Sequence, residues 1–538
     1  GALPPEQQWS QQKYVADPDI CSKPRNPIRM SDPGALPDLY AQCSSEEVIE
    51  SRKEYSANRE EYEMLEWKAV MPPEVWAHTT FGEVRLGDAR RTERAVKLAT
   101  AIAREPNVSL PKQVGQRKEV QATYRFLQSA QVSYEALMRP HLLQTRAQVE
   151  QRPVVLLVQD TTELDYQAHR STSGLGPIGN GTHQGFLLQT VLAVDPASAE
   201  VLGIAQQEPF LRQPAPKGER KSERVQRERE SQVWERAVQA IGAPPEGVRW
   251  VHVGDRYSDI YTLFVACQQQ QTHFVIRAAQ DRCVDERVEE VAPALKRRRR
   301  KAGDPPQPHL FETVRGWAAR DEQQVEVPAE HERKARTARV AMSYGQLRLL
   351  APDKREHQLP SMLVWVVRVW ELEPPEGVEP LEWVLLTSVP VASVAQAWER
   401  VGWYRRRWIV EDYHQALKTG CRMEERQLES YQGLRRLLGL LAPTAVRLLQ
   451  LRTLARQQPE RAAQEVLPSE VVQLVALKTG GGAAGMTVEQ CVKRIAQLGG
   501  YQGRRSDGPP GWKTLWHGWL KIQTLLEGVH LASQVLLE

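Results

Sequence analysis

Hydrophobic and polar positions change period three times along this chain, and each change predicts a different kind of element. From Trp76 to about residue 145 the apolar positions recur at helical spacing. Ala95-Val-Lys-Leu-Ala-Thr-Ala-Ile-Ala103 follows a cluster of arginines, Glu119–Leu127 is a second helix after the Ser109-Leu-Pro break, and Ser133 caps a third. At Pro153 the period shortens. Val154–Val158 is a continuous apolar run, the mark of a buried strand, and it ends in Gln159-Asp160. Further strands are predicted at Gly185–Val194, Val201–Glu208, Val248–Val253 and His273–Arg277, with helices through Glu219–Ile241 and Ser258–Gln268. The glycine-rich stretch Ser173–Gly181 lacks a phosphate-loop lysine and is expected to be a flexible connection. Residues 278–394 read as a β-rich insertion, with strands near Gln324–Val327, Ala335–Leu350, Met362–Leu372 and Leu381–Thr387 and a turn at Pro374–Gly377. Helices then resume at Tyr404–Gly420 and Gln427–Arg452. A terminal helical unit follows Gly480-Gly-Gly482, and its tryptophans (Trp512, Trp516, Trp519) are expected to pack.

The order three strands, helix, strand, helix, strand constrains topology. Three strands in a meander are antiparallel, and the helical crossover returns the fourth parallel to and beside the first. Asp160 and Asp255, each directly after an apolar run, then meet at one end of the sheet.

Tyr404–Gly420 holds no proline, is rich in long side chains and closes on a glycine, so one helix is predicted. At 100° per residue Tyr404, Arg407, Glu411 and Lys418 fall within roughly 60° of one another, while Trp403, Ile409, Val410, Tyr413 and Leu417 take the core side. A carboxylate flanked by cations and a phenol suits metal binding beside phosphate binding. The plain alternative is a solvated face with i,i+4 ion pairs. Two strand-end aspartates plus Glu411 make three carboxylates about one point, enough for two magnesium ions.

Composition adds limits. A charged fraction of 26% and a hydrophobic fraction of 41% over 538 residues describe an ordinary globular protein of several domains, and the net charge of +4 does not by itself favour nucleic acid. Local clusters do: Arg90, Arg91 and Arg94, the run Lys296–Lys301, and Arg405–Arg407. The Lys296–Lys301 run reads as a solvated loop or a DNA contact. The six cysteines have no CxxC pair, which argues against a zinc site or a disulfide framework. No apolar run is long enough to span a bilayer, and a cytoplasmic or nucleoid-associated protein is expected. Residues 1–70 are polar and weakly periodic; Met71 is the expected natural start, and the text before it reads as an extension, disordered or foreign to the rest.

Tyr404-x-x-Arg407-x-x-x-Glu411-x-x-x-x-x-x-Lys418 resembles the Y-R-E-K signature of bacterial DDE transposases of the insertion-sequence-four group, and the nearest likeness is the Tn-five-type cut-and-paste transposase. Leu86–Arg94, Tyr124-Arg-Phe126, Asp160-Thr-Thr162, Asp255–Ile260, Pro380–Ser388 and the tryptophan-rich tail follow in the same order, so the resemblance covers about 71–538. It implies an α/β architecture: an RNase H-like mixed-sheet catalytic core (146–277 and 395–460) interrupted by the β-rich insertion (278–394). It also implies an N-terminal helical domain on the transposon end (71–145) and a C-terminal helical dimerisation domain (461–538). Asp160, Asp255 and Glu411 are implied as catalytic metal ligands for two Mg2+, with Mn2+ as a substitute. Tyr404, Arg407, Lys418, Trp383, Arg277, Arg90, Arg94, Arg104 and Arg125 are implied as DNA-binding residues, Trp383 as the surface on which a flipped base stacks. The expected partners are double-stranded DNA, both transposon ends and target, and a second copy of the chain, and the implied host is a bacterium. Expected chemistry is water-driven nicking, hairpin formation by the freed 3′-OH, and strand transfer. The rivals are a decayed transposase that binds ends and inhibits, and a plain RNase H-like nuclease.

Overall fold

The computed structural model describes residues 71–213, 216, 218, 229–286, 307–327, 336–352, 359–457, 459–504, 508 and 510–537. The extension 1–70, the first part of the helix expected from Glu219 and the basic run Lys296–Lys301 lie outside the described residues.

The described residues open on five helices: α1 Pro73–Phe81, α2 Ala89–Arg104, α3 Leu110–Val114, α4 Arg117–Gln128 and α5 Tyr134–Val149. Asp88 caps α2 and Ser133 caps α5, each accepting a backbone N–H with its side chain. The proposed break at Ser109-Leu-Pro is a cap followed by the short α3, because proline is tolerated in a first turn. Ala95, Leu98, Ala99, Ile102 and Ala103 of α2 are buried, as their spacing requires.

One eleven-stranded sheet forms the centre. The strands are β1 Val154–Asp165, β2 Gly176–Ile178, β3 His183–Val194, β4 Val201–Phe210, β5 Arg249–Gly254, β6 His273–Arg277, β7 Val284–Asp285, β8 Asp321–Val327, β9 Arg336–Leu349, β10 Met362–Glu371 and β11 Glu382–Thr387. β1 is antiparallel to β3 and parallel to β5, and β5 is parallel to β6. Helices α6 Gln232–Ile241 and α7 Tyr261–Gln269 make the crossovers. The stretch expected to be a flexible connection instead pairs through β2 with β3, where Gly176 faces Gly185.

The remaining strands and the end of β1 complete the sheet. The strands of 278–394 extend the same sheet: β11 pairs with β6, β10 with β11 and β9 with β10, all antiparallel. Asp160 sits within β1 rather than after it, because β1 runs on to Asp165 against β3 while its pairing with β5 ends at Val158 and Val253. The notch where β5 stops is the place the carboxylates share.

α8 Leu310–Arg315 leads into β8. The stretch expected to be one helix through 404–420 is three pieces: α9 Val394–Arg405, α10 Trp408–Gln415 and a wider π turn over Ala416–Gly420. Between the first two the backbone bonds tighten to i→i−3, Arg406 N to Trp403 O and Arg407 N to Tyr404 O, and the axis is interrupted there. Gly420 ends the π turn where a Cβ would lie 2.7 Å from the Trp512 ring. The long α11 Tyr431–Gln457 packs against the sheet, and α12 Ser469–Thr479, α13 Val488–Leu498 and α14 Trp512–Leu537 close the chain. Trp512, Trp516 and Trp519 are buried, so their expected packing role holds.

Candidate active site

Three elements supply the carboxylates: β1 carries Asp160, the turn after β5 carries Asp255, and α10 carries Glu411. Asp160 Oδ1 accepts the N–H of Thr161 at 2.8 Å, and Asp255 Oδ1 accepts that of Tyr257 at 2.8 Å, so both carboxyls are oriented by local backbone. All three acids feel one another. Burial and the Asp255 charge push the Asp160 carboxyl up to about 8. Burial also raises Asp255, against the Arg407 guanidinium, and raises Glu411.

Arg407 is the counter-charge. Its side chain is only 8% exposed and its Nη1 donates to Glu411 Oε1 at 2.6 Å; burial opposes its charge, but Glu411, Tyr404 and Asp255 together outweigh burial and hold it protonated. Its guanidinium also lies 4.4 Å over the Trp408 ring. The i,i+4 ion pair is therefore real, yet it is not on a solvated face: Tyr404 and Arg407 are buried, and the broken axis turns them inward. Tyr404 meets Trp383 edge-on, with ring centroids 5.4 Å apart, and it stands beside Arg277, which donates to the Glu382 carbonyl at 2.8 Å. Tyr404, Arg407, Arg277 and Trp383 thus form one group beside the acids. Lys418, on the π turn, instead faces Glu424 at 3.6 Å.

Among the described residues no three His, Cys, Asp or Glu side chains stand together ready to hold a metal ion, and Glu411 is paired with Arg407. The donor chemistry nonetheless fits an oxygen-seeking divalent cation. Three carboxylates share one basic partner, and the raised Asp160 holds a proton where a cation's charge would serve. Asp160, Asp255 and Glu411 are the residues that would hold it, with Glu411 swung off Arg407.

The N-terminal arginines differ among themselves. Arg94 is paired with Glu119, which Lys97 also approaches at 3.3 Å, and Arg104 donates to Glu74 at 2.7 Å. Arg90 is paired with Asp88 while its side chain stays 88% exposed, and Arg125 is exposed on α4.

Sequence reasoning missed Arg426. It is 3% exposed and donates to the carbonyls of Val108 and Pro106 at 2.6 Å each and of Cys421 at 2.7 Å, tying the loop after α2 to the end of the π turn. Arg422 adds a bond to the Asn107 carbonyl at 3.3 Å. No periodicity marks these residues, because the carbonyls they reach at Pro106, Asn107 and Val108 lie more than 300 positions away and only Cys421 is local.

Residues 73–132 match the family model described as transposase DNA-binding, and residues 249–446 match that of the transposase DDE domain. The first match covers α1 to α4. The second holds Asp255 and Glu411, while β1 with Asp160 lies between the two matched stretches. Among the described residues no helix is long and apolar enough to cross a membrane.

Proposed function

We propose that this chain, a DDE transposase by its two matched domains, binds the inverted-repeat ends of a mobile element as a homodimer, cuts them and joins them to target DNA. Its finer likeness is to the Tn-five-type enzymes of the insertion-sequence-four group. The observation that supports this most is the convergence of Asp160, Asp255 and Glu411 on the buried Arg407 at the notch beyond β5.

Asp160, Asp255 and Glu411 are the residues that would hold the divalent cations. Two Mg2+, replaceable by Mn2+, would supply Lewis-acid charge to the attacking and leaving oxygens. When Glu411 turns toward the aspartates, Arg407 loses its partner and presents a guanidinium to a phosphate in its place. Tyr404 and Arg277 orient that group, and Lys418 meets the backbone further along. Water first opens the terminal phosphodiester, leaving a 3′-OH. That hydroxyl attacks the opposite strand to close a hairpin, and after reopening it attacks the target. The tight hairpin expels a base, which stacks on Trp383. The α1–α5 module grips the end through Arg90, Arg94, Arg104 and Arg125, and α12–α14 pair with a second copy.

A duplex carrying the inverted repeat that flanks the coding DNA tests this reading. In Mg2+ the protein should nick it at the repeat's terminus and spare a scrambled duplex. Equal nicking of both would make it a general nuclease, and binding without nicking a non-catalytic end-binder.

A further inference from the structure

Among the described residues only two large aromatic side chains are exposed, Tyr257 at 56% and Trp408 at 53%. Each stands within three residues of a proposed catalytic carboxylate: Tyr257 two after Asp255, Trp408 three before Glu411. Trp408 already carries the Arg407 guanidinium on its ring. Tyr257 calls for a different account, because the turn that bears it is held firmly. Its own N–H binds Asp255 Oδ1, Ser258 Oγ donates to the Asp255 carbonyl at 2.6 Å, and Ser258 is buried. Asp259, 4% exposed, accepts the N–H groups of Ala279 and Gln280 at 2.7 Å each and the Arg282 guanidinium at 2.6 Å.

A rigid turn thus presents a large apolar ring to solvent beside the acids. Arg256 is exposed next to it, and Arg277 and Arg407 stand nearby in the site. Arginines that take phosphates, interleaved with an aromatic face that takes bases, are how proteins hold unpaired nucleotides. A preorganised two-torsion side chain loses little entropy on stacking.

We propose that Tyr257 is a stacking platform for a nucleobase of the DNA strand next to the phosphate being cut, distinct from the Trp383 surface. This rests on the transposase reading of the site. The ring face acts, and the phenol hydroxyl is dispensable.

The test uses the full chain and the inverted-repeat duplex, with 2-aminopurine placed in turn at the nucleotides on either side of the cut. Wild-type protein should quench the probe at one of these positions. Tyr257→Ala should lose that quenching and bind the duplex roughly tenfold more weakly, with an unchanged salt dependence because no phosphate contact is removed. Tyr257→Phe and Tyr257→Trp should behave as wild type. The inference is overturned if wild type nicks the duplex but Tyr257→Ala keeps both quenching and affinity, or if Tyr257→Phe fails as Tyr257→Ala does, which would assign the hydroxyl. Failure of the wild type to nick would count against the transposase reading itself.

Discussion

Arg407 donates to Glu411 at 2.6 Å from a guanidinium almost wholly removed from solvent, while the Glu411 side chain keeps 42% of its exposure. The pair is asymmetric: the cation is fixed and the carboxylate can leave. That suits a carboxylate with two destinations, its own helix partner and a cation held by Asp160 and Asp255.

Glu411→Gln is expected to abolish nicking while paired-end complexes persist on a native gel. Because Glu411 is more than one-third exposed, the lost ion pair should cost no more than about 1 kcal/mol of stability. Arg407→Ala should lose both complex and cleavage. Near wild-type nicking by Glu411→Gln would remove Glu411 from the site.

Asp160 makes stability depend on pH. Its folded carboxyl titrates near 8 against an ordinary value of 3.8, so between these values the folded state binds a proton that the unfolded state does not. Stability contributed by this group is present at low pH and is lost as pH rises from about 4 through 8. Asp160→Asn should therefore raise Tm relative to wild type at pH 8 and change it little at pH 4, measured in EDTA. Added Mg2+ should raise Tm of the wild type more than that of Asp160→Asn, and an equal gain would exclude Asp160 as a ligand.

Trp383 packs edge-on against Tyr404. Losing that pair should cost about 1 kcal/mol. Beyond this, Trp383→Ala should slow hairpin formation more than the first nick. An equal loss at both steps, resolved on a denaturing gel, would make it a packing residue of the sheet.

Exposed Arg90 and Arg125 should matter more for end binding than the ion-paired Arg94 and Arg104. Arg125→Ala should weaken end affinity and lower the slope of log K against log salt by about one. If Arg94→Ala has the larger effect on that slope, its pairing with Glu119 opens when DNA binds.

Arg426→Met would leave three carbonyls without their donor, a loss of about 3 kcal/mol or more. Hydrogen exchange should quicken in both segments that Arg426 ties, around 106–108 and around 421. Faster exchange in one segment alone would mean that Arg426 does not join them.

Much of this protein was legible in its sequence. The strand order, the parallel return of β5 beside β1, the Ser133 cap and the buried tryptophans follow from period, capping chemistry and crossover rules, which are local or depend on chain order alone. Asp160 and Asp255 stood out as acids at the ends of apolar runs, and Glu411 as the carboxylate of a helical stripe. Tertiary structure alone decided where those runs stop. Asp160 lies mid-strand because β3 pairs with β1 as far as Asp165 while β5 ends at Gly254, and no property of Val154–Asp165 encodes the length of its neighbours. It alone continued the sheet through β11, broke the helix between Arg405 and Trp408, and buried Arg407 instead of exposing it. It also joined Arg426 to the carbonyls of Val108 and Pro106. Sequence period reports which face of an element is apolar. Pairing partners, burial of a charge and main-chain acceptors depend on atoms hundreds of residues away, and those only the fold brings near.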